Sequence, residues 1–298
     1  MRILITGSTG MIGTALLPML FRRGHEVIRL ARPGTAAGTG VFNWDPLKGT
    51  IDLAALERLD GVVHLAGENI ARRRWTAAQK ERIRESRVRG TSFLSESLAR
   101  LASPPRVCVS ASAIGYYGDR GDEILREESA PGSGFLSQVC VAWESATKAA
   151  EDRGIRVVHL RTGMVLSKAG GALDRMLPVF RVGAGGVIGN GRQYMSWIAV
   201  DDVGGAILQA LATDSLRGAM NTVAPAPVTN YEFTKTLGRV LSRPTVFPLP
   251  AFAARLALGE MADELLLASQ RVEPARLVAT GYQFCFSDLE AALSHLLQ

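Results

Sequence analysis

The stretch Gly7-Ser8-Thr9-Gly10-Met11-Ile12-Gly13 decides how this chain folds. It follows the apolar run Ile3-Leu4-Ile5 and opens a segment whose apolar residues have helical spacing (Ile12, Leu16, Leu20). A strand that leads through a glycine-rich turn into a helix N-terminus is the arrangement that binds the pyrophosphate of a dinucleotide. The free amides and the helix dipole attract the phosphate charge. The spacing is G-x-x-G-x-x-G, which differs from the G-x-G-x-x-G of many dehydrogenases.

The composition is that of an ordinary globular protein. The chain has 298 residues, 47% of them hydrophobic and 21% charged, which is enough for one large domain or a large and a smaller one. Three cysteines and four scattered histidines predict neither a disulfide framework nor a metal site. A net charge of +6 suits anionic small molecules and does not by itself indicate nucleic acid. Since no apolar run approaches the roughly 18 to 20 residues of a membrane span, we expect a cytoplasmic protein.

Apolar strand-like runs alternate with helical segments through the first two-thirds of the chain. The predicted strands are 2–6, 26–30, 41–43, 61–65, 106–110 and 156–160, and the predicted helices are 11–23, 76–101 and 136–153. Continuous apolar strands that alternate with helices favour an α/β fold with a parallel sheet covered on both faces. Pro18 predicts a kink or an early end of the first helix.

The pattern changes after residue 166. Glycine clusters and then spaced prolines separate short helical pieces, which predicts a smaller, mostly helical second lobe. We assign residues 1–165 to a dinucleotide-binding domain, to which 194–224 return, and residues 166–193 and 225–298 to the second lobe. Ligands of open α/β sheets bind outside the carboxyl ends of the strands, so the cleft is expected there, under the second lobe.

The end of the second predicted strand indicates which dinucleotide binds. An acidic residue about 20 positions beyond the glycines would bind the ribose hydroxyls of NAD. No Asp or Glu stands there, and Arg32 lies where a 2′-phosphate would be. Because a guanidinium pairs well with a phosphate, NADP(H) is favoured over NAD(H). The alternative is that Arg32 is a surface arginine.

Four ordered segments resemble the extended branch of the short-chain dehydrogenase/reductase superfamily, which includes nucleotide-sugar epimerases and dehydratases. They are the segments 7–13, 60–67, 160–165 and 196–203. The last departs in one place, because a histidine usual there is Ala199 in this chain. The resemblance implies a Rossmann-type doubly wound parallel sheet with a smaller, mostly helical C-terminal substrate lobe.

The resemblance also implies which residues bind ligands. The cofactor-binding residues are Gly7, Thr9, Gly10, Met11, Ile12, Gly13, Arg32, Leu65, Ala66, Gly67, Glu68, Gly163, Met164 and Val165. The substrate-binding residues are Arg192, Gln193 and Trp197, although a loop also exposes Arg and Gln simply for solubility. The sequence is similar in more detail to an atypical subgroup known as "epimerase family protein". Its marks are residues 65–70, 140–144 and 221–225 and a C-terminal signature between 258 and 282.

The catalytic positions depart from the superfamily. A Tyr-x-x-x-Lys pair on the helix after the fifth strand carries the proton there, and Cys140 and Glu144 stand at those two positions here. A carboxylate raises the pKa of a nearby thiol, whereas a lysine lowers that of a tyrosine, so Cys140 and Glu144 cannot act in the same way. Cys140 is a catalytic candidate by position, and a buried, apolar-like thiol is its alternative role.

Three interpretations of the catalytic site stay open. Glu144 is itself the acid or base, or Tyr116 or Tyr117 supplies a phenol, or the site binds cofactor without tyrosine-type catalysis. Ser112 matches the superfamily serine that hydrogen-bonds the reacting oxygen, and its alternative role is to satisfy backbone at a strand end. Arg87 stands at a position where members of the superfamily often carry an asparagine. Its side chain either faces outward or offers a partner for an anion inside the cleft.

The function that this resemblance implies is NADP(H)-dependent redox chemistry on a small polar substrate, as epimerase, reductase or dehydratase. A nucleotide-linked sugar is the substrate that the family suggests, and homodimers are common among the relatives. The competing hypothesis is an NADPH-binding redox sensor or interaction protein with little turnover, which the missing tyrosine and lysine favour.

Overall fold

An eight-stranded sheet, parallel except at one edge, forms the centre of the fold in a computed structural model that describes residues 1–35 and 38–298. The strands are β1 (Arg2–Thr6), β2 (Glu26–Ala31), β3 (Val41–Asp45), β4 (Thr50–Ile51), β5 (Gly61–His64), β6 (Val107–Ala113), β7 (Ile124–Leu125), β8 (Arg156–Thr162), β9 (Met164–Leu166), β10 (Tyr194–Met195), β11 (Trp197–Ala199), β12 (Gly218–Thr222), β13 (Val228–Thr229) and β14 (Arg271–Val272). The short strands β7, β9, β10, β11, β13 and β14 lie outside this sheet and pair two by two.

The strand order of the large sheet is β12-β8-β6-β5-β1-β2-β3-β4. All neighbours run parallel except β4, which is antiparallel to β3. The order of the chain reverses between β1 and β5, which is the point of an open α/β sheet where ligands bind. The carboxyl ends of β1 and β5 therefore mark the expected cofactor crevice.

Helices cover both faces of the sheet. They are α1 (Met11–Arg22), α2 (Ala77–Ala99), α3 (Phe135–Ser145), α4 (Lys148–Asp152), α5 (Gly171–Arg181), α6 (Val200–Ala212), α7 (Asn230–Val240), α8 (Ala251–Leu258), α9 (Glu260–Ala262), α10 (Ala275–Ala279) and α11 (Leu289–Leu297). Buried residues of α1 and α6, such as Leu16 and Ile207, share one core with β1 and β6. Leu94 of α2 and Ala150 of α4 belong to the core on the opposite face. The predicted doubly wound fold is confirmed.

Two helix predictions need correction. The first helix continues through Pro18 to Arg22, so an early end is wrong. Pro18 and Thr14, whose carbonyl loses its helical partner, are both exposed, and water can satisfy that carbonyl. The predicted helix 136–153 divides into α3 and α4, because the Thr147 hydroxyl donates to the Glu144 carbonyl (2.8 Å) and ends the first of them.

A further core lies outside the sheet. It joins α5, α7 and α11 through buried apolar side chains, which include Leu177, Phe233 and Leu293. Leu277, although late in the chain, belongs instead to the core that α1 and α6 share. The division into a dinucleotide-binding domain and a second lobe stays a prediction. Across residues 1–35 and 38–298, no helix combines the length and the apolar character needed to cross a bilayer.

A buried polar chain links the two strands that flank the switch point. The Thr6 hydroxyl lies 2.7 Å from Nδ1 of His64, and Nε2 of His64 lies 3.0 Å from the Thr91 hydroxyl. The indole Nε1 of Trp143 also donates to that hydroxyl (2.9 Å). Burial lowers the pKa of His64 to about 4, so the neutral ring holds β1, β5 and α2 together at neutral pH.

This histidine makes stability depend on pH. Because its folded-state pKa of about 4 lies below the ordinary 6.5, the unfolded chain binds the proton more readily, and stability falls as the pH falls from 6.5 to 4. We expect this single group to remove about 3 kcal/mol of unfolding free energy over that interval. Denaturant unfolding of wild type and His64→Gln at both pH values measures it. An equal acid loss in both proteins would refute the assignment.

Candidate functional site

The glycine loop after β1 packs tightly against β5 and the start of α1. Gly7 has φ of +69°, and a Cβ added there would lie 2.7 Å from the Leu65 backbone. A Cβ on Gly13 would lie 2.4 Å from the Gly7 carbonyl oxygen, so α1 starts directly against the loop. No side chain caps this helix, and no acidic residue lies in its first turn. The amides at its start, beside the exposed Thr9 and Gly10, therefore face a space suited to phosphate.

Two arginines lie at the outer end of this crevice. Arg32 follows β2 and is exposed, and within residues 1–35 and 38–298 it forms no salt bridge. Arg29, inside β2, donates from Nε to the hydroxyl of Ser8 in the glycine loop (3.1 Å). Arg29 and Ser8 were not among the predicted cofactor residues. A charged side chain inside the otherwise apolar stretch Val27–Ala31 of β2 could have identified Arg29 as a functional candidate.

The segment predicted to contact the nicotinamide lies at the inner end. Gly163 joins β8 to β9, and a Cβ there would lie 2.5 Å from the Ser196 carbonyl oxygen. Met164 begins β9, which pairs in parallel with β11. The start of α5 returns to the glycine loop, since a Cβ on Gly171 would lie 3.2 Å from Sδ of Met11. The two predicted cofactor segments thus border one crevice.

A polar cluster stands at the carboxyl ends of β6 and β8. The Ser112 hydroxyl donates to Oε1 of Glu144 (2.7 Å). Arg161 donates two hydrogen bonds of 2.9 Å each to the same carboxylate, from Nε to Oε1 and from Nη2 to Oε2. The side chains of Arg161 and Glu144 are 5% and 12% exposed, so water screens this pair little. Charge-assisted hydrogen bonds of this bidentate kind fix the orientation of the Glu144 carboxylate.

Arg161 was not singled out from the sequence, although it is the centre of this cluster. Its Nη1 donates to the Tyr117 hydroxyl (3.0 Å) and to the Glu127 carbonyl (3.1 Å). Burial opposes its charge, yet the hydrogen bonds and the charge of Glu144 raise the pKa of Arg161. The sequence could have identified this residue, because an arginine within a mostly apolar strand such as β8 needs a partner for its charge when it is buried.

The two tyrosines after β6 have different surroundings. Tyr117 is fully buried, and its hydroxyl donates to Oδ1 of Asn221 (2.7 Å) while it accepts from Arg161. Burial raises the pKa of Tyr117 to about 12, and its hydroxyl is occupied by buried protein partners, which disfavours it as an acid or base. Tyr116 is partly buried, and its ring centroid lies 3.4 Å from the guanidinium carbon of Arg161. Tyr116 therefore lies against the cluster and stays a candidate.

Cys140 occupies the position of the superfamily tyrosine but is only 3% exposed. Burial raises the pKa of its thiol to about 12, while the charge of Arg87 partly opposes that shift. A buried, protonated thiol neither attacks nor transfers a proton readily near neutral pH. The surroundings of Cys140 therefore favour the alternative role, a small apolar side chain.

Thiol labelling tests this environment. Cys108 and Cys140 are buried and Cys285 is exposed, so we expect Ellman's reagent at pH 8 to modify one thiol per native chain rapidly and three after denaturation. Cys285→Ser is expected to remove the rapid phase, and Cys140→Ser to leave it unchanged. A rapid phase that disappears in Cys140→Ser would show that this thiol is accessible.

The three predicted substrate residues do not share one environment. Trp197 is 0% exposed, and its Nε1 donates to the Ala226 carbonyl (3.0 Å), so a substrate cannot reach it. Gln193 is 7% exposed, and its amide donates to the carbonyls of Ile188 and Leu266. The polar groups of both side chains bond within the protein, which disfavours a substrate role, and that role stays a prediction. Arg192 is exposed.

Within residues 1–35 and 38–298, no group of three His, Cys, Asp or Glu side chains is arranged to hold a metal ion.

Comparison with known proteins agrees with this geometry. The profile of the NAD dependent epimerase/dehydratase family matches residues 3–222, and that of a domain of unknown function, DUF1731, matches 249–296. An epimerase family protein of Mycobacterium leprae is 45% identical over 98% of this chain and 94% of its own length. The human epimerase family protein SDR39U1 is 38% identical over the full length of both chains. These matches confirm the resemblance found in the sequence.

Solved structures agree with the sequence matches. The crystal structure of human SDR39U1 with NADPH superposes with a TM-score of 0.92 at 37% identity, over 99% of each chain. A UDP-glucose 4-epimerase of Thermotoga maritima, 18% identical, superposes with a TM-score of 0.79 and shares the fold. The cofactor expected from the sequence, NADP(H), is the one bound to the human protein.

Proposed function

Since the chain belongs to the NAD dependent epimerase/dehydratase family, we propose that it binds NADP(H) and performs redox chemistry on a small polar substrate. The observation that carries the proposal is the uncapped, glycine-lined start of α1 at the switch point of the sheet. A nucleotide-linked sugar is the family's suggestion for the substrate. We further infer a cytoplasmic enzyme with no nucleic-acid partner, and a homodimer is the assembly that the family suggests.

The residues present fit this cofactor. The amides after Gly10 would hold the pyrophosphate, because neither a side chain nor a negative charge competes there. Arg32 would pair with the 2′-phosphate, and Arg29 orients Ser8 beside it. Gly163, Met164 and Val165 would contact the nicotinamide. When bound, the nicotinamide supplies or accepts the hydride.

Ser112 and Glu144 are proposed to handle the proton. The Ser112 hydroxyl would hydrogen-bond the reacting oxygen of the substrate, and its own proton already points to Glu144. When the substrate releases a proton to Oγ of Ser112, the serine proton can pass to Oε1 of Glu144. Arg161 holds the Glu144 carboxylate in this orientation. Tyr116, against Arg161, is the second candidate to contact the substrate.

The cofactor preference is tested at Arg32. Arg32→Ala is expected to weaken NADPH binding about 10-fold, because a charge-assisted contact with the 2′-phosphate is lost, and to leave NADH binding unchanged. Paired fluorescence titrations of wild type and variant with both nucleotides measure this. Arg23→Ala, which removes an exposed arginine after α1, controls for net charge. Equal losses for NADPH and NADH would remove Arg32 from the 2′-phosphate site.

A second candidate function is an NADPH-binding sensor with little turnover. The observation that favours it is the bidentate contact of Arg161, because both oxygens of the Glu144 carboxylate already accept hydrogen bonds from this guanidinium. Glu144→Gln separates the two functions in a screen for NADP(H)-dependent turnover of polar carbonyl and hydroxyl compounds. Lost turnover with retained NADPH binding supports catalysis through Glu144. Wild type that binds NADPH but turns over nothing supports the sensor.

A further inference from the structure

Arg87 is partly buried, and it forms no salt bridge among residues 1–35 and 38–298. Its Nη1 donates to the carbonyls of Glu68 (3.0 Å) and Ile83 (3.3 Å). Its guanidinium carbon lies 4.9 Å from the centroid of the Trp143 ring. Burial lowers the pKa of Arg87, while the charge of Glu68 opposes that shift. A buried cation costs free energy unless an anion compensates it.

One edge of this guanidinium is free. Nε and Nη2 donate no hydrogen bond within the part of the chain that the structure describes, yet neither is fully enclosed. These two groups point the same way in one plane, and their spacing matches the two oxygens of a carboxylate. Because Nη1 is held by two carbonyls and the ring of Trp143 lies alongside, the direction of the free edge is set before any ligand binds.

The guanidinium of Arg87 lies beside the proposed active site. The guanidinium carbon of Arg87 is 3.5 Å from where a Cβ of Gly67 would be, which places it at the carboxyl end of β5 beside the cofactor crevice. Trp143, over which it lies, directly precedes Glu144 on α3. The charge of Arg87 also acts on the thiol of Cys140, one turn earlier on that helix. Arg87 and the Ser112–Glu144 pair therefore flank one turn of α3.

We propose that the Nε/Nη2 edge of Arg87 binds a carboxylate of the substrate, next to the carbon whose oxygen meets Ser112. This inference rests on the proposed function and narrows its substrate class to small hydroxy acids and oxo acids. Because Arg87 lies over Trp143 and Ser112 bonds to Glu144, the next residue of α3, we infer that the carboxylate and the reacting oxygen are close in the same molecule. A substrate that bears both on neighbouring carbons meets this requirement.

Oxalate, a planar dicarboxylate, is the probe. We expect it to bind the NADPH-saturated wild type at one saturable site in calorimetric titration. Arg87→Gln should weaken oxalate at least about 10-fold, because a charge-assisted pair of hydrogen bonds is lost. Arg87→Lys keeps the charge without the flat edge and should fall between the two. Arg84→Gln, which removes an exposed arginine of the same helix, should bind oxalate as wild type does.

The outcomes distinguish this inference from the proposed function. Failure of wild type to bind NADPH refutes the proposed function and the inference with it. NADPH binding with equal oxalate affinity in wild type and both Arg87 variants overturns the inference alone. Tighter binding of inorganic phosphate than of oxalate to wild type also overturns the inference. So does an Arg87→Gln variant that loses affinity for NADPH but not for oxalate. If Arg87→Gln does not fold, Arg87→Lys decides.

Discussion

Gly13→Ala is expected to reduce NADPH affinity by at least about 100-fold, which corresponds to about 2.7 kcal/mol. The added Cβ would lie 2.4 Å from the Gly7 carbonyl oxygen and 2.7 Å from Cα of Ser8. Both are backbone atoms, so no side-chain rotation can relieve the contact, and the loop itself must move away from α1. Since the proposed pyrophosphate site is the gap between that loop and the start of α1, the movement destroys its geometry.

Fluorescence titration with NADPH measures this loss, and circular dichroism checks that the protein folds. Alanine is a better helix former than glycine, so a loss of binding cannot come from a weakened helix. Thr14→Ala, at the next and exposed position of α1, is the matched control and should bind NADPH as wild type does. Gly13→Ala with an affinity within twofold of wild type would show that the cofactor lies elsewhere.

Arg161→Met is expected to lower the free energy of unfolding by about 3 to 5 kcal/mol. Removal of the guanidinium leaves the carboxylate of Glu144, which is 12% exposed, with a single hydrogen bond from Ser112. It also takes one partner from the buried hydroxyl of Tyr117. A buried charge that loses its partner costs far more than the pair itself contributes. NADPH binding provides the check that the variant keeps its fold.

Denaturant unfolding measures the cost, and a second variant identifies its cause. In Arg161→Met with Glu144→Gln, no uncompensated charge is buried, so we expect roughly half of the stability to return. The surface pair Arg239–Glu290, with side chains 61% and 52% exposed, is the control. Arg239→Met should cost less than about 1 kcal/mol. If Arg161→Met and Arg239→Met lower the free energy of unfolding by similar amounts, burial of the Arg161–Glu144 pair is not the cause of the loss.

Sequence patterns predicted what is local in the chain. The glycine loop, the strands and the first helices depend on turn residues and on hydrophobic spacing within a few positions, and the structure confirms the doubly wound sheet. The break between α3 and α4 was missed because Thr147 competes with the helix through one side-chain hydrogen bond. Such a competition leaves no trace in the hydrophobic pattern.

The amino-acid sequence by itself determined the fold class, the cofactor loop and the absence of the usual Tyr-x-x-x-Lys pair. Only the tertiary structure decided how the unusual residues are used. It pairs Glu144 with Arg161, 17 positions away, and with Ser112, 32 positions away. It also buries Trp197 and places Arg87 over Trp143 and beside Gly67. The physical reason is that charge pairing and burial depend on which elements pack side by side, and residue type and spacing along the chain do not contain that information.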